Sequence, residues 1–403
     1  MLLGVLCLQA LQSLAPPRAA ASGRSAAEAA PQPSAGRIVA VGDIHGDFDS
    51  FVSILKKTEL IDDKHNWTGK RTTLVQTGDF TDRGANVRGV IELMMALEPQ
   101  AQAAGGRVQI LLGNHEAMNL LGDFRDVSPE AFAAYADATS ETKREKAYAE
   151  YERFAGSKRR FKKKSKEEWM AAHPPGWLEY REAFDGETKC GQWLRKRPAA
   201  AHLGGVVFMH GGVDPNAGLN SVDAINRQVQ RDLRTFDDYR KHLVVRRAAL
   251  PFFTLTELLE ATVAEIEELS TGLSGLPTDS ASAQQAIDAR YVETLQWMTK
   301  IGATSLLSPN GPLWFRGFAT WSSIEGPSQV DRLLKSYRNV SQFVVGHTIP
   351  ASFRITPRFT GRVFLIDTGM LSTHYKGGRA SALEIDSGVF TAIYLDGNER
   401  LSN

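Results

Sequence analysis

Five short segments carry the residues able to do chemistry. They are Gly42-Asp43-Ile44-His45-Gly46, Gly78-Asp79-Phe80-Thr81-Asp82-Arg83-Gly84, Gly113-Asn114-His115-Glu116, His210-Gly211-Gly212 and Gly346-His347-Thr348. Together they offer carboxylate, carboxamide and imidazole groups, each beside a glycine. Such donors suit Mn, Fe or Zn and are wrong for a thiolate zinc site. The set exceeds what one tetrahedral ion needs and matches two ions sharing a carboxylate. Paired metals clamp the attacking and leaving oxygens of an in-line phosphoryl displacement. Any one segment alone would be weak evidence. Five in order argue against coincidence. The chain has no Cys-x5-Arg loop for a thiol phosphatase and no GxxxxGK[ST] loop for an NTPase of that class.

Each segment needs an element to hold it. Short apolar runs precede them: Arg37–Val41, Thr72–Gln76, Val108–Leu112, Val206–Met209 and Phe343–Val345, with Val363–Ile366 running into Asp367-Thr368-Gly369. Runs of this length and composition read as buried strands. Polar residues at the C-terminal ends of strands are where α/β sheets place their sites. Phe48–Thr58 and Arg88–Glu98 fit amphipathic helices between strands. The fold class is therefore α/β. Two intervals, about 126–203 and 216–309, are richer in helix pattern and are expected to be helical insertions on one catalytic domain spanning 37–399. Glu257–Leu269 is the clearest helix there, and Thr271–Ser282 reads as an exposed loop. The basic run Lys158–Lys166 is expected to be a solvated helix face, the alternative being a patch that steers a phosphorylated or acidic partner.

The 403 residues carry 47 basic and 46 acidic side chains, a net charge of +1. That balance gives no reason to expect binding to nucleic acid or an anionic membrane. Two cysteines, Cys7 and Cys190, exclude a disulfide framework. Residues 1–21 are expected to be a secretory signal, with an apolar run at Leu2–Leu14 and a cleavage pattern at Ala19-Ala20-Ala21. Residues 22–36 form a Pro/Ala/Ser-rich linker. The missing basic residues before Arg18 leave a disordered tail as the alternative. The run is too short to span a membrane, which takes about 20 residues. Periplasmic or secreted location is the expectation, cytoplasmic or organellar the alternative.

The five motifs resemble those of the calcineurin-like metallophosphoesterase superfamily, and within it the phosphoprotein phosphatase group. Gly113–Val127, GNHEAMNLLGDFRDV, resembles the stretch that characterises the Shewanella-like protein phosphatases. The likeness spans about Arg37 to Thr373, with the two helical intervals matching poorly. It implies a two-sheet β-sandwich flanked by helices, with two metals at the strand ends. By motif, Asp43 and His45 would bind the first metal, Asp79 would bridge, and Asn114, His210 and His347 would bind the second. Asp82 and His115 would form the acid–base pair, and Arg83 would bind the phosphoryl group. Arg316 is the chosen second phosphate arginine, with Arg125 as its rival. Mn is the preferred metal, with Fe or Zn as alternatives. Many superfamily diesterases carry Gly-His-x-His, whereas here Ile349 stands two residues after His347. That departure and the Asp82-Arg83-Gly84 triplet point to phosphomonoesters, with a phosphoprotein or phosphopeptide as substrate. The alternatives are a hydrolase of nucleotides or dinucleoside polyphosphates, and a non-catalytic metal-binding scaffold. Asp367 is a candidate support for the His347 ring, against a plain strand-end turn. His374 and Tyr375 could line the cleft, Tyr375 being read as a packing residue.

Overall fold

The computed structural model describes residues 36–273 and 289–401. The expected leader, nearly all of the linker and most of the Thr271–Ser282 loop lie outside them. Two sheets form the centre. One has six strands in the order β11-β10-β9-β1-β2-β3, the other five in the order β4-β5-β6-β8-β7. In the first, β1 (Ile38–Val41), β2 (Thr73–Gln76) and β3 (Arg107–Ile110) run parallel, and β9 (Ser381–Asp386), β10 (Val389–Tyr394) and β11 (Gly397–Leu401) extend it antiparallel. In the second, β5 (Val206–Met209), β6 (Gln342–Val345) and β8 (Val363–Leu365) run parallel between the antiparallel edges β4 (Ala200–Leu203) and β7 (Thr356–Arg358).

Alternation along each strand builds two cores. Ile38, Ala40, Val75, Phe208, Val344 and Phe364 face the space between the sheets. Val39, Val41, Leu74, Val207, Met209 and Phe343 face the helices. Successive side chains of a strand point to opposite faces, so strands covered on both sides lose their polar positions and read as continuous apolar runs. Between the sheets, Phe364 stacks on Phe390 with ring centroids 4.4 Å apart.

The helices are α1 (Phe48–Lys57), α2 (Val87–Ala103), α3 (Asn114–Leu121), α4 (Pro129–Ala133), α5 (Ser140–Ser157), α6 (Lys166–Ala172), α7 (Trp177–Ala183), α8 (Lys189–Arg195), α9 (Val222–Val245), α10 (Leu255–Leu273), α11 (Ala289–Thr299), α12 (Gly317–Thr320) and α13 (Gly326–Ser336). Helices α4 to α8 and α9 to α11 fill the two expected intervals, and their apolar faces join the helix-side core of the sheets. Among the described residues no helix is long and apolar enough to cross a membrane.

Three expectations need correction. The interval to 203 ends in a strand, because Ala200–Leu203 pairs with β5. Helix α2 does not stop before Pro99 but runs through it to Ala103, where buried Ala101 keeps the face packed. The basic run is not a helix face. Only Lys166 is helical; the rest links α5 to α6, and four of the run's five lysines are answered by acids. Lys158 pairs with Glu265 at 2.6 Å, Lys163 with Glu152 at 2.8 Å, Lys164 with Glu257 at 2.9 Å and Lys166 with Glu145 at 2.8 Å. Four of the run's seven basic side chains are thus neutralised within the fold, while Arg159, Arg160 and Lys162 are exposed.

Candidate active site

The loops leaving β1, β2, β3, β5 and β6 meet at one edge of the two sheets. Close approach there requires glycine. A Cβ on Gly113 would lie 2.2 Å from Asp79 Oδ1, and one on Gly346 would lie 2.4 Å from Asp43 Oδ1. The same loops hold five non-glycine residues in the left-handed region: His45 at φ 47°, Asp79 at 56°, Asp82 at 66°, Arg83 at 64° and His347 at 66°. Strain of this kind clusters where a site over-determines its backbone.

Glu116 holds the turn after β2. Its buried carboxylate accepts from the backbone N–H of Asp79 (2.7 Å), Phe80 (2.9 Å), Thr81 (3.0 Å) and Gly113 (2.8 Å), and from Thr81 Oγ1 (2.9 Å). Asp79 in turn places Oδ1 on the first turn of α3, accepting from His115 N at 3.0 Å, where a helix presents unpaired amides to an anion. Its Oδ2 points into the site.

Around Asp79 Oδ2 lie two groups of donor atoms. On one side His210 Nε2 stands 3.1 Å from it, 2.9 Å from Asn114 Oδ1 and 3.1 Å from His347 Nδ1. The other ring nitrogens are engaged, His210 Nδ1 by Thr77 O at 3.1 Å and His347 Nε2 by Trp314 O at 3.1 Å. A ring N–H facing each carbonyl leaves the inward nitrogens as lone pairs. Two imidazole lone pairs, a carboxylate oxygen and an amide oxygen then face one another with no proton between them. A cation is what satisfies such a set, so these residues fit a metal. On the other side, His45 Nε2 lies 3.9 Å from Asp43 Oδ2 and 4.0 Å from Asp79 Oδ2, its Nδ1 held by Thr81 O at 3.0 Å. Geometry alone also allows His115 in this second group, since His45, Asp79 and His115 offer atoms within 4.8 Å of one another.

The charges point the same way. Burial lifts the Asp43 carboxyl well above its usual range, and the Asp367 and Asp79 carboxylates add to the rise. Burial lowers His45 well below its usual value and takes His347 to about 2. Asp79 is buried too, yet the His210 and His115 rings hold it well below the usual carboxylate range. Burial would lower His115, but Asp79 and Asp82 outweigh it and raise it to about 9. Its Nδ1 lies 2.7 Å from Asp82 Oδ2.

Arg83 reaches across both halves. Nη2 lies 3.0 Å from His115 Nε2, and Nη1 donates to His45 Nε2 at 2.5 Å and to the Tyr375 hydroxyl. Beside it opens a cleft of about 360 Å³ lined by Asp47, Phe48, Asn86, Glu130 and Leu371 among others. Tyr375 is therefore not a simple packing residue: it is half-buried with its hydroxyl on Arg83. His374 is exposed beside it. Arg316 is exposed and donates through Nη1 to His347 O and Thr348 Oγ1, each at 2.9 Å. It grips the His347 turn. Arg125 is exposed and turned onto Asp123. Asp367 does not support the His347 ring. It accepts from Gly369 N at 2.9 Å and meets the Asp43 carboxyl, and burial lifts it to about 6.

Residues 36–256 match the family model described as calcineurin-like phosphoesterase. The chain belongs to that family. His347 and the C-terminal strands lie beyond the matched residues. The chain is 28% identical over 348 residues to an uncharacterized protein of Schizosaccharomyces pombe, covering 85% of this chain and 75% of that one. It is 41% identical over 104 residues to Shewanella-like protein phosphatase 2 of Arabidopsis thaliana, a stretch that spans only 25% of this chain and 27% of the relative. Among solved structures, the cold-active protein-tyrosine phosphatase of a psychrophilic Shewanella species superposes over 92% of this chain and 83% of that one. The TM-score is 0.52 and the identity 23%, a likeness of fold. The two mixed sheets flanked by helices are thus the metallophosphoesterase architecture, and Shewanella-like phosphatases are homologues of this family member.

Sequence reasoning passed over three residues that complete the site. Glu116 sat inside a quoted motif without a role. Asn119 lies one turn after His115, a spacing that puts both on one helix face. Tyr180 carries no local signal at all.

Proposed function

We propose that the chain is a metal-dependent phosphomonoesterase whose substrate is a phosphoprotein. Asp43, His45 and Asp79 would hold one divalent cation and Asp79, Asn114, His210 and His347 the second, Mn being the preferred ion. When bound, the pair supplies an acidified water near neutral pH and positive charge against the phosphoryl oxygens. The observation that carries the reading is the meeting of three functions: Arg83 Nη2 lies 3.0 Å from His115 Nε2, which lies 3.8 Å from Asp79 Oδ2. A phosphoryl binder, a proton donor and a ligand carboxylate face one position.

The chain's own residues do the following. Arg83 turns from His45 Nε2 onto the phosphoryl oxygens, where its planar guanidinium fits two of them. Water forms the new P–O bond as the bond to the leaving oxygen breaks, and the proton it sheds restores the His115 ring after turnover. That oxygen takes the proton from His115 Nε2, with Asp82 holding Nδ1 and stabilising the charged ring. Arg316 acts through the His347 turn that it grips. Ile349 in place of a further histidine and the Asp82-Arg83-Gly84 triplet support monoesters over diesters.

The test is hydrolysis of p-nitrophenyl phosphate and bis-p-nitrophenyl phosphate by protein stripped of metal and reloaded with Mn, beside Asp79→Asn and His115→Asn. Mn-dependent cleavage of the monoester alone, lost in both variants, is the expected result and leads to a phosphopeptide screen. Preference for the diester or for dinucleoside polyphosphates would overturn the phosphoprotein assignment. Inactivity with every metal would favour a scaffold.

A further inference from the structure

A buried chain of hydrogen bonds runs from the helical insertion into the acid pair. Asn119 Nδ2 donates to Asp82 Oδ1 at 2.7 Å and to His115 O at 2.8 Å. Asn119 Oδ1 accepts from the Tyr180 hydroxyl at 2.8 Å. The other Asp82 oxygen binds His115 Nδ1 at 2.7 Å. Asp82, Asn119 and Tyr180 are each fully buried. The direction of every bond is fixed from the Asp82 end: a carboxylate oxygen accepts, so the amide nitrogen faces it, the amide oxygen faces outward, and the phenol must donate.

Tyr180 has no freedom to leave. Phe124, Phe132, Tyr135 and Phe184 surround it with ring centroids 5.4, 5.2, 5.1 and 4.8 Å away. These rings come from the loop after α3, from α4 and its exit, and from α7 and its exit, all outside the motifs that carry the chemistry. A carboxylate held at one oxygen by His115 alone could rotate about its own bond. Pinning the other oxygen fixes which lone pair meets Nδ1, and with it the direction of Nε2.

We infer that Tyr180 and Asn119 are positioning residues that set the Asp82–His115 pair for proton delivery, which makes the first helical insertion part of the reaction apparatus. The inference rests on the phosphomonoesterase reading. Proton delivery matters most when the leaving oxygen is basic. A defect in positioning the acid must therefore scale with the leaving group, whereas a general loosening of the fold must not.

The test uses the full metal-loaded chain, with phenyl phosphate as the poor leaving group and 2,4-dinitrophenyl phosphate as the good one. The variants are Tyr180→Phe, Asn119→Leu and the pair. General acids contribute about 10²–10⁴-fold, so Asn119→Leu should lower kcat on phenyl phosphate about 30-fold and on the dinitrophenyl ester under about 3-fold, with KM unchanged. Tyr180→Phe should show the same pattern at about 5-fold on phenyl phosphate. Because Tyr180 acts through Asn119, the double variant should be no slower than Asn119→Leu alone. Equal losses on both esters, or multiplying losses in the double variant, would overturn the inference while leaving the phosphatase reading intact. Hydrolysis of neither ester by the unmutated chain would remove that reading and the inference with it. Tyr180→Phe keeps the ring and removes only the hydroxyl, so it carries the leaving-group comparison if Asn119→Leu does not fold.

Discussion

Glu116→Gln is the sharpest perturbation of the site that leaves every expected ligand untouched. The two side chains have the same shape, so packing is constant and only hydrogen-bond acceptance changes. The carboxylate serves four backbone N–H groups and one hydroxyl. In the amide, the NH₂ must replace either Oε2, which faces Asp79 N and Gly113 N, or Oε1, which faces Phe80 N and Thr81 N. Either way two buried backbone N–H groups confront a donor, and at Oε1 the Thr81 hydroxyl must also turn away. A hydrogen bond to a charged group contributes about 1.5–3 kcal/mol, so the gross loss is about 3–6 kcal/mol. Burial raises the Glu116 carboxyl above its usual range, as does the Asp79 charge, so removing the ionised form returns part of this. The net expectation is a loss of about 2–4 kcal/mol after that offset. Urea unfolding of the metal-stripped protein, followed by the fluorescence of its seven tryptophans, measures it as a fall in midpoint. The loss sits on the turn that aims Asp79, so retention of Mn through gel filtration should fall with it. A variant within about 0.5 kcal/mol of the parent and retaining its metal would show that Glu116 does not hold the turn.

Other outcomes follow from single contacts. Tyr375→Phe frees Arg83 Nη1 from one acceptor and should change KM for a phosphopeptide by about 3–10-fold with kcat nearly constant, because the hydroxyl touches the phosphate binder and not the proton donor; a fall confined to kcat would refute this. Burial would raise Glu257, but the His173 ring 3.8 Å away and the Lys164 ammonium at 2.9 Å hold it down to about 2. A depressed acid stabilises fully above its unfolded value of about 4.3 and loses that stability as pH falls through the folded value. The unfolding free energy should thus fall by about 3 kcal/mol in total between about pH 4.5 and pH 2, and Glu257→Gln should flatten that limb; an unchanged slope would refute it. The Arg181 guanidinium is buried, none of its nitrogens has a hydrogen-bond partner among the described residues, and burial lowers it to about 9. Arg181→Met should therefore be neutral or stabilising, by up to about 3 kcal/mol. Destabilisation beyond about 2 kcal/mol would mean that the guanidinium is partnered in solution.

The parallel strands were legible because they are buried on both faces: β1, β5 and β8 hold no polar residue, β2 and β6 hold them only at their ends, and only β3 carries one inside, Gln109. Predicted and observed ends of β5 coincide, and those of β1, β2, β6 and β8 agree to within a residue. The strands β9 to β11 went unread although their signals were present: Val389–Tyr394 is β-branched and aromatic, and Ser387 and Gly388 turn at positive φ of 51° and 78°. They carry no chemistry, so no motif drew notice to them. Distance in sequence explains the other failures. Tyr180 is 61 residues from Asn119, and Tyr375 is 292 residues from Arg83. Nothing local marks either pairing. The basic run misled for a similar reason, because the acids answering it lie on α5 and α10, up to 107 residues away.

The motifs themselves are one structure in five pieces. A left-handed non-glycine residue costs about 1–3 kcal/mol, so five of them together approach the net stability of a whole domain. Compensation must therefore be local, and the bonds between loops supply it. Asp79 O accepts from both Ile44 N at 2.9 Å and His45 N at 3.0 Å; Phe80 O accepts from Gly46 N at 3.1 Å, and His45 O from Gly84 N at 2.9 Å. Asp43 Oδ1 accepts from His347 N at 3.1 Å, and so ties the two sheets together at their shared edge. Three of the five strained residues, His45, Asp79 and His347, are locked by a partner loop or by Glu116; Arg83 donates its N–H to Asp126 O at 2.9 Å, and Asp82 is pinned by Asn119. The loop after β1 cannot keep its shape without the loop after β2, nor that loop without Glu116 and α3. This is why the segments were informative as an ordered set: each supplies a group for the chemistry and also the hydrogen bonds that keep its neighbours in conformations they would not adopt alone.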